Sequence, residues 1–175
     1  MEQCVEIIGQ RGVSLRTLVP ANAAALADIA NDPAIAACVR ESFPSPYTLI
    51  SAQEFIQFAT TQTSLYAWGI FENDTLVGVI SLTQQEDIYR HSAEIGYWLG
   101  TAFHGKGIVT EAIDLVCQYA FNQLNLIRIF AGVFENNIAS QKALLKNGFV
   151  MEGIRKKGAI KNKILLDDYL MAKLK

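Results

Sequence analysis

The sequence predicts one mixed α/β domain, a mixed and largely antiparallel sheet of about seven strands with about four helices on its faces. Three observations predict it. The 175 residues are 51% hydrophobic and 18% charged, the size and balance of a single domain with a substantial core. The N-terminal half alternates polar and apolar residues in runs that read as consecutive hairpins. The later half reads strand–helix–strand–helix and ends in a closing hairpin. No repeat, low-complexity tract or linker divides the chain, so residues 1–175 are read as one domain, its core spanning about 13–174.

Residues 13–19 alternate as Val-Ser-Leu-Arg-Thr-Leu-Val, the pattern of a half-buried strand. Pro20 opens a helical stretch with Leu26, Ile29 and Ala30 on one face, and Asn31-Asp32-Pro33 stops it. Phe43-Pro44-Ser45-Pro46 is a loop, because each proline lacks an N–H and pushes its predecessor to extended geometry. Ser51-Ala52-Gln53-Glu54 has the spacing of a capping box, with Phe55, Ile56 and Ala59 continuing an apolar face. Residues 66–71 and 76–82 flank the polar turn residues Asn73-Asp74 as an antiparallel hairpin.

Residues 93–99, Ala-Glu-Ile-Gly-Tyr-Trp-Leu, form the next strand. The clearest helix covers 107–122, with Val109, Ala112, Ile113, Val116 and Ala120 as its core stripe and Glu111, Asp114 and Gln118 elsewhere. A strand over 127–134 and a helix over 137–146 follow, the helix stopped by Gly148-Phe149. Closing strands near 150–158 and 163–174 form a second hairpin.

Composition excludes several function classes. The 15 Lys and Arg against 17 Asp and Glu give a formal charge of −2, whereas a nucleic-acid binder carries a basic excess to displace counterions. Cys4, Cys38 and Cys117 are scattered and odd in number, with no CxxC, so neither a zinc site nor a disulfide framework is expected. His91 and His104 have no partner at ligand spacing, and no metal is expected. Residues 1–6 lack the basic start and apolar run of a secretory signal, and the apolar run 126–134 is cut by Arg128. The chain is read as a cytoplasmic protein that binds neither membrane nor nucleic acid.

The informative segment runs from Trp98 to Thr110, Trp-Leu-Gly-Thr-Ala-Phe-His-Gly-Lys-Gly-Ile-Val-Thr. A strand ends, a glycine-bearing turn follows and a helix begins. Such a helix start offers unpaired N–H groups and the positive end of the dipole, which suits an anionic ligand. Gly105 and Gly107 let the backbone approach phosphate unobstructed. A plain tight turn would use the same glycines. Gly100 followed by Gly105-Lys106 imitates a nucleotide-binding P-loop, but Gly107 stands where the magnesium-binding hydroxyl is needed.

With its neighbours this loop resembles the GNAT superfamily of acetyl-CoA-dependent N-acetyltransferases, and within it the RimJ/RimL-like branch. One matching block is residues 93–99 followed by 103–112. The other runs Glu135-Asn136-Asn137-Ile138-Ala139-Ser140, then Leu145-Lys146-Asn147-Gly148-Phe149 and Glu152-Gly153. The resemblance implies a splayed GNAT-like sheet with acetyl-CoA entering where two central parallel strands separate. It implies that His104, Gly105, Lys106, Gly107, Ile108, Val109 and Thr110 cradle the pyrophosphate through main-chain amides. It implies that the strand end at Trp98 and Leu99 pairs with the pantetheine, and that a bulge there aims an N–H at the thioester oxygen, where developing charge is stabilised. Asn137 and Ser140 would face the pantetheine arm and sulfur. Three departures stand out: His104 replaces the usual Gln or Arg, Val109 the usual Gly or Ala, and Leu144 the tyrosine that protonates the leaving thiolate. The first two are expected to alter loop packing only, and the third makes Ser140 the candidate for the thiolate.

An amine attacks only when neutral. At pH 7 an α-amino group with pKa ~7.7–8.0 is on the order of 10% neutral, and a lysine at ~10.4 below ~0.1%. Glu94 is the candidate base, acting through water from the start of the strand, against a bland role as an edge carboxylate paired with Arg90. Glu86 and Asp87 are weaker candidates. Ser140 could instead bond within its helix, Asn137 could cap it, and Cys117 is read as packed. Arg155, Lys156, Lys157, Lys161 and Lys163 form a basic patch, a solvated turn, a site for an acidic protein partner, or help with a coenzyme phosphate. Phe43, Tyr47, Tyr66 and Trp68 are candidates for an acceptor pocket. The reading is an N-acetyltransferase that uses acetyl-CoA and a protein N-terminus of ribosomal-protein type, as monomer or homodimer. Small amines such as polyamines or aminoglycosides are alternative acceptors, and a non-catalytic acyl-CoA sensor is the alternative class.

Overall fold

Asn73 and Asp74 both adopt positive φ (46° and 67°) and close the hairpin between β3 (Leu65–Glu72) and β4 (Thr75–Gln84), because that turn needs residues that tolerate left-handed backbone. This hairpin lies within a computed structural model that describes residues 6–175, so Cys4 falls outside the described residues. Preceding it are β1 (Glu6–Ile8), β2 (Val13–Arg16), α1 (Ala23–Ala30), α2 (Pro33–Cys38) and α3 (Leu49–Thr61). Following it are β5 (Ser92–Leu99), α4 (Ile108–Asn122), β6 (Arg128–Phe134), α5 (Ile138–Lys146), β7 (Val150–Lys161) and β8 (Ile164–Leu174).

The strands form one sheet in the order β1-β2-β3-β4-β5-β6-β8-β7. Every neighbouring pair is antiparallel except β5 and β6. Among the described residues the sheet has eight strands rather than about seven, because the three described residues of β1 are too few to show a period. Among them five helices replace the expected four or so. Asp32 and Pro33 do end α1, and they also begin α2: the Asp32 carboxylate accepts from the Ala34 amide at 2.8 Å and Pro33 takes the first helical position. The capping box of α3 lies three residues earlier than expected. Thr48 is the cap, its hydroxyl accepts from the Ser51 amide at 3.2 Å, and Ser51 accepts in return from the Thr48 amide.

Two apolar layers sandwich the sheet. On one face α4 buries Ala112, Ile113, Val116 and Ala120 against Ile80, Leu82 and Ile129, and α5 adds Leu144. Val109, expected in the stripe, is half-buried at its margin. Each buried large apolar side chain contributes about 1.5–3 kcal/mol. On the other face Leu26 of α1 and Ile56 of α3 pack against Phe71, Leu76 and Val79. Among the described residues no helix is long and apolar enough to cross a membrane.

Two features bear on the site. β5 and β6 pair only at Ser92↔Arg128, Ala93↔Ile129 and Glu94↔Phe130, and then diverge. β5 keeps one register with β4 from Gln84↔Ala93 to Gly78↔Leu99, so the bulge implied for this strand is absent from that pairing. Register shifts occur in β7 instead, between Arg155 and Ala159 among others. There Lys157 sits at φ 53°, and Asp167 of β8 holds the bulge by accepting from the Lys156 ammonium at 2.7 Å and the Lys157 amide at 3.0 Å.

Those two donors, Lys156 first, hold the Asp167 carboxyl below its ordinary value. A depressed carboxyl stabilises the fold above its unfolded pKa, and that contribution is lost as pH falls through the folded pKa. Asp167→Asn is therefore expected to lower the urea midpoint at pH 7, and the gap from wild type to close as pH falls below about 4. Urea titrations of both proteins across that range make the check, and a constant gap would remove the carboxylate as its cause.

Candidate active site

Past Glu94↔Phe130 the sheet opens into a cleft of about 950 Å³ lined from both of its faces. Side chains alternate along β5. Ala93, Ile95 and Leu99 pack toward α4, and Tyr97 follows them, while Glu94, Gly96 and Trp98 face the α1 and α3 side. Backbone groups alternate too. The Ser92 carbonyl accepts from Gln85 on the β4 side and the His91 carbonyl from Ile127 on the β6 side. By that alternation the amide of Tyr97, beyond the last pair, faces the gap.

The glycine loop begins where β5 ends and leads into α4, outside the residues that line the cleft. Gly105 and Gly107 adopt φ 77° and 81°, and an added Cβ at either would meet nothing within 4 Å. The first helical bond of α4 runs from the Glu111 amide to the Gly107 carbonyl, which leaves the amides of Ile108, Val109 and Thr110 without intrahelical partners. This open cradle of amides fits a phosphate group. The ring Nε2 of His104 donates to the Leu99 carbonyl at 3.0 Å, so the residue shapes the loop through its side chain as well as its backbone. Lys106 lies with Nζ 5.2 Å from the Phe103 ring and 4.0 Å from the Glu72 carboxylate.

Polar side-chain contacts fix the loop and helices. Asp32 accepts from the Thr101 hydroxyl at 2.7 Å, which with the Ala34 amide holds its carboxyl below the usual value. Asn147 donates from Nδ2 to the carbonyls of Thr110 and Ala143 at 3.0 and 2.9 Å, and so ties α4 to α5.

On the α5 side, Asn137 caps the helix, with Oδ1 accepting from the Ser140 amide at 3.2 Å. The Ser140 hydroxyl does not bond within its helix. It lies 2.8 Å from the hydroxyl of Tyr97, whose phenol burial pushes up to about 12. Leu144 is fully buried in the core. Asn137, Ser140 and Tyr97 all line the cleft.

On the opposite face the Glu94 carboxylate accepts from Arg40 at 2.6 Å. Its partner is therefore Arg40, from the segment after α2, rather than Arg90, which donates to the Asp87 carbonyl. Phe43 and Tyr47 line the cleft beside Trp98, with Phe43 5.8 Å from the Trp98 ring. Tyr66 and Trp68 do not, because they stand on β3, separated from β5 by β4, and Trp68 packs edge-on against Tyr119 of α4. Glu86 and Asp87 lie in a turn outside the cleft lining. The basic patch is partly neutralised from within: Arg155 pairs with Asp168 and Lys156 with Asp167. Cys117 is buried in the core, which pushes its thiol up to about 12. Tyr97 and Arg40 are the site residues that the sequence reading missed. The period of two along β5 places Tyr97 opposite Glu94, but no local pattern marks Arg40.

The family model for the acetyltransferase (GNAT) domain matches residues 13–150. The probable N-acetyltransferase YjcK of Bacillus subtilis (strain 168) is 44% identical over 109 residues, 61% of this chain and 60% of that protein. The ribosomal-protein-serine acetyltransferase of Escherichia coli (strain K12) is 33% identical over 105 residues, 60% of this chain and 58% of that protein. The match thus spans less than two thirds of these relatives' own length. Among solved structures, the ribosomal L7/L12 alpha-N-protein acetyltransferase RimL in complex with coenzyme A superposes with a TM-score of 0.88. It covers 97% of this chain and 98% of its own at 20% identity, a likeness of fold.

The left-handed backbone at Gly107, with space around it, makes substitution there a matter of strain. Gly107→Ala is expected to cost about 1–2 kcal/mol in urea unfolding. Gly153→Ala, equally uncrowded and without positive φ, is expected to be neutral or slightly stabilising. Equal effects of the two would show that the αL conformation is not what Gly107 supplies.

Proposed function

The chain belongs to the GNAT acetyltransferase family, and from that premise we propose that it transfers the acetyl group of acetyl-CoA to the N-terminal α-amino group of a protein. The observation that carries this reading is the early separation of β5 from β6. It leaves Tyr97 and Ser140 on one face of the gap and Glu94 on the other. The relatives named for acetylation of ribosomal-protein serine and of alanine in ribosomal protein uS5 support the acceptor class.

The residues present fit the donor. The uncrowded αL glycines and the free amides of Ile108, Val109 and Thr110 hold its pyrophosphate, Trp98 lines the path of the pantetheine with Leu99 beside it at the end of β5, and Asn137 and Ser140 sit at its sulfur end. Acetyl-CoA supplies an acetyl group activated as a thioester. The Tyr97 amide faces the gap, where it stabilises negative charge on the carbonyl oxygen. Glu94, held by Arg40, takes the proton that the amine must lose, directly or through water. An α-amine, already on the order of 10% neutral at pH 7, needs little of that help, whereas a lysine needs far more. The aromatic wall of Phe43, Tyr47 and Trp98 receives the first residues of the acceptor.

Thiol release from acetyl-CoA across N-terminal peptides, lysine peptides with blocked termini, polyamines and aminoglycosides tests this. Turnover confined to free N-termini is expected. Glu94→Gln is expected to lower the rate about 10²-fold or more at pH 6 and less toward pH 9, where more of the amine is neutral. Turnover on a small amine instead would move the chain to metabolite or drug modification. Silence with acetyl-CoA still bound would favour a sensing module, and a Glu94→Gln profile matching wild type would remove that residue as base.

A further inference from the structure

Leu144 is buried where many relatives by resemblance carry a phenol, yet a phenol does reach the same region, from a different element. Tyr97 projects from β5 toward α5, and its hydroxyl meets Ser140 Oγ at 2.8 Å. The Ser140 carbonyl is a more distant second acceptor at 3.4 Å. A tyrosine has one hydrogen to give and a serine one hydrogen and two lone pairs. When Tyr97 gives its hydrogen to Ser140 Oγ, the Ser140 hydrogen is released to point elsewhere. Both hydroxyls line the cleft.

We propose that Tyr97 is a positioning residue for acetyl transfer: its hydroxyl donates to Ser140 and thereby turns the Ser140 hydrogen onto the departing sulfur of coenzyme A. This rests on the acetyl-transfer reading above and adds a residue that acts through another. As the nitrogen–carbon bond forms and the carbon–sulfur bond breaks, the bond's electron pair goes to sulfur. The amine's surplus proton leaves on the Glu94 side, and the thiolate keeps a hydrogen bond from Ser140 until it takes a proton from solvent. A free thiol titrates near ~8.5, so a hydrogen bond rather than a full proton is enough to help it leave. Burial pushes the phenol up to about 12, so Tyr97 remains a donor across the working pH range. Here the phenol comes from the strand and works through the serine.

Coenzyme A itself is the probe. The bound thiol is titrated by its ultraviolet thiolate absorbance in wild type, Tyr97→Phe, Ser140→Ala and the double variant, and circular dichroism reports folding. The other titratable groups near the pair or lining the cleft are Cys117 of α4, a neutral thiol, the free thiol of Cys38, the phenol of Tyr47, the Arg155–Asp168 and Arg40–Glu94 pairs, and Glu41, Glu54 and Lys161. All are common to the four proteins. In wild type the bound thiol is expected to titrate below the free one. Each single substitution is expected to reduce the thiolate fraction at pH 7 about tenfold, and the double variant to reduce it no further. A Tyr97→Phe titration that matches wild type overturns the proposal, as do effects that multiply in the double variant. Because this readout needs no acceptor, it stands apart from the acceptor panel: a shifted thiol with no turnover would overturn the acetyl-transfer reading and leave the Tyr97–Ser140 device intact.

Discussion

Three residue pairs between β5 and β6 are the constraint on which the rest of the site depends. A fully zipped parallel joint would satisfy every backbone group and close the cleft. One pair fewer would loosen the two halves of the sheet that the α4 crossover joins. Stopping at Glu94↔Phe130 leaves the next outward-facing amide, that of Tyr97, at the edge of an opening through the sheet. The period of two then puts a carboxylate on one side of that opening and a phenol on the other. Geometry that looks like several separate placements follows from where one ladder ends.

Keeping that opening in shape falls to short polar ties. Asn147 fastens α4 to α5, Gln141 donates to the carbonyls of Phe134 and Glu135 and fixes the β6–α5 corner, and Asp32 joins the start of α2 to the turn after β5. The Asn147 and Gln141 amides donate to main-chain carbonyls, whereas Asp32 accepts from the Thr101 hydroxyl and from the Ala34 amide at the start of α2. His104 belongs with these ties, since its ring closes on the Leu99 carbonyl. A substitution that looks conservative from the viewpoint of main-chain binding thus has a side-chain job.

Local signals made much of this legible. The Asn73-Asp74 turn, the apolar stripe of α4, the strand over 93–99 and the closing hairpin are written in period and turn chemistry, and they appear where those signals put them. The described residues of β1 are too few for a period to exist, and α2 hides behind a proline that stops one helix by starting the next. Asn137 and Ser140 could be named from their motif, but the partner of the Ser140 hydroxyl could not, because it stands 43 residues away on another element. Arg40 escapes for the same reason, 54 residues from Glu94. Tyr66 and Trp68 show the limit from the other side: alternation gives the two faces of β3, but not that β4 stands between this strand and the gap. The missing bulge in β5 and the extra ones in β7 likewise depend on partners such as Asp167 rather than on local sequence.

The bulge in β7 has a consequence for solubility. β7 is the longest strand and an open edge, with Val150, Ile154 and Ile160 exposed along it, the kind of border that recruits further strands and seeds aggregates. The left-handed kink at Lys157, flanked by the charged Lys156 and pinned by Asp167, breaks that border into two short pieces whose hydrogen-bonding groups do not run on in line. A sheet that must stay open in its middle is thus blunted along its longest border, which keeps one opening from inviting others.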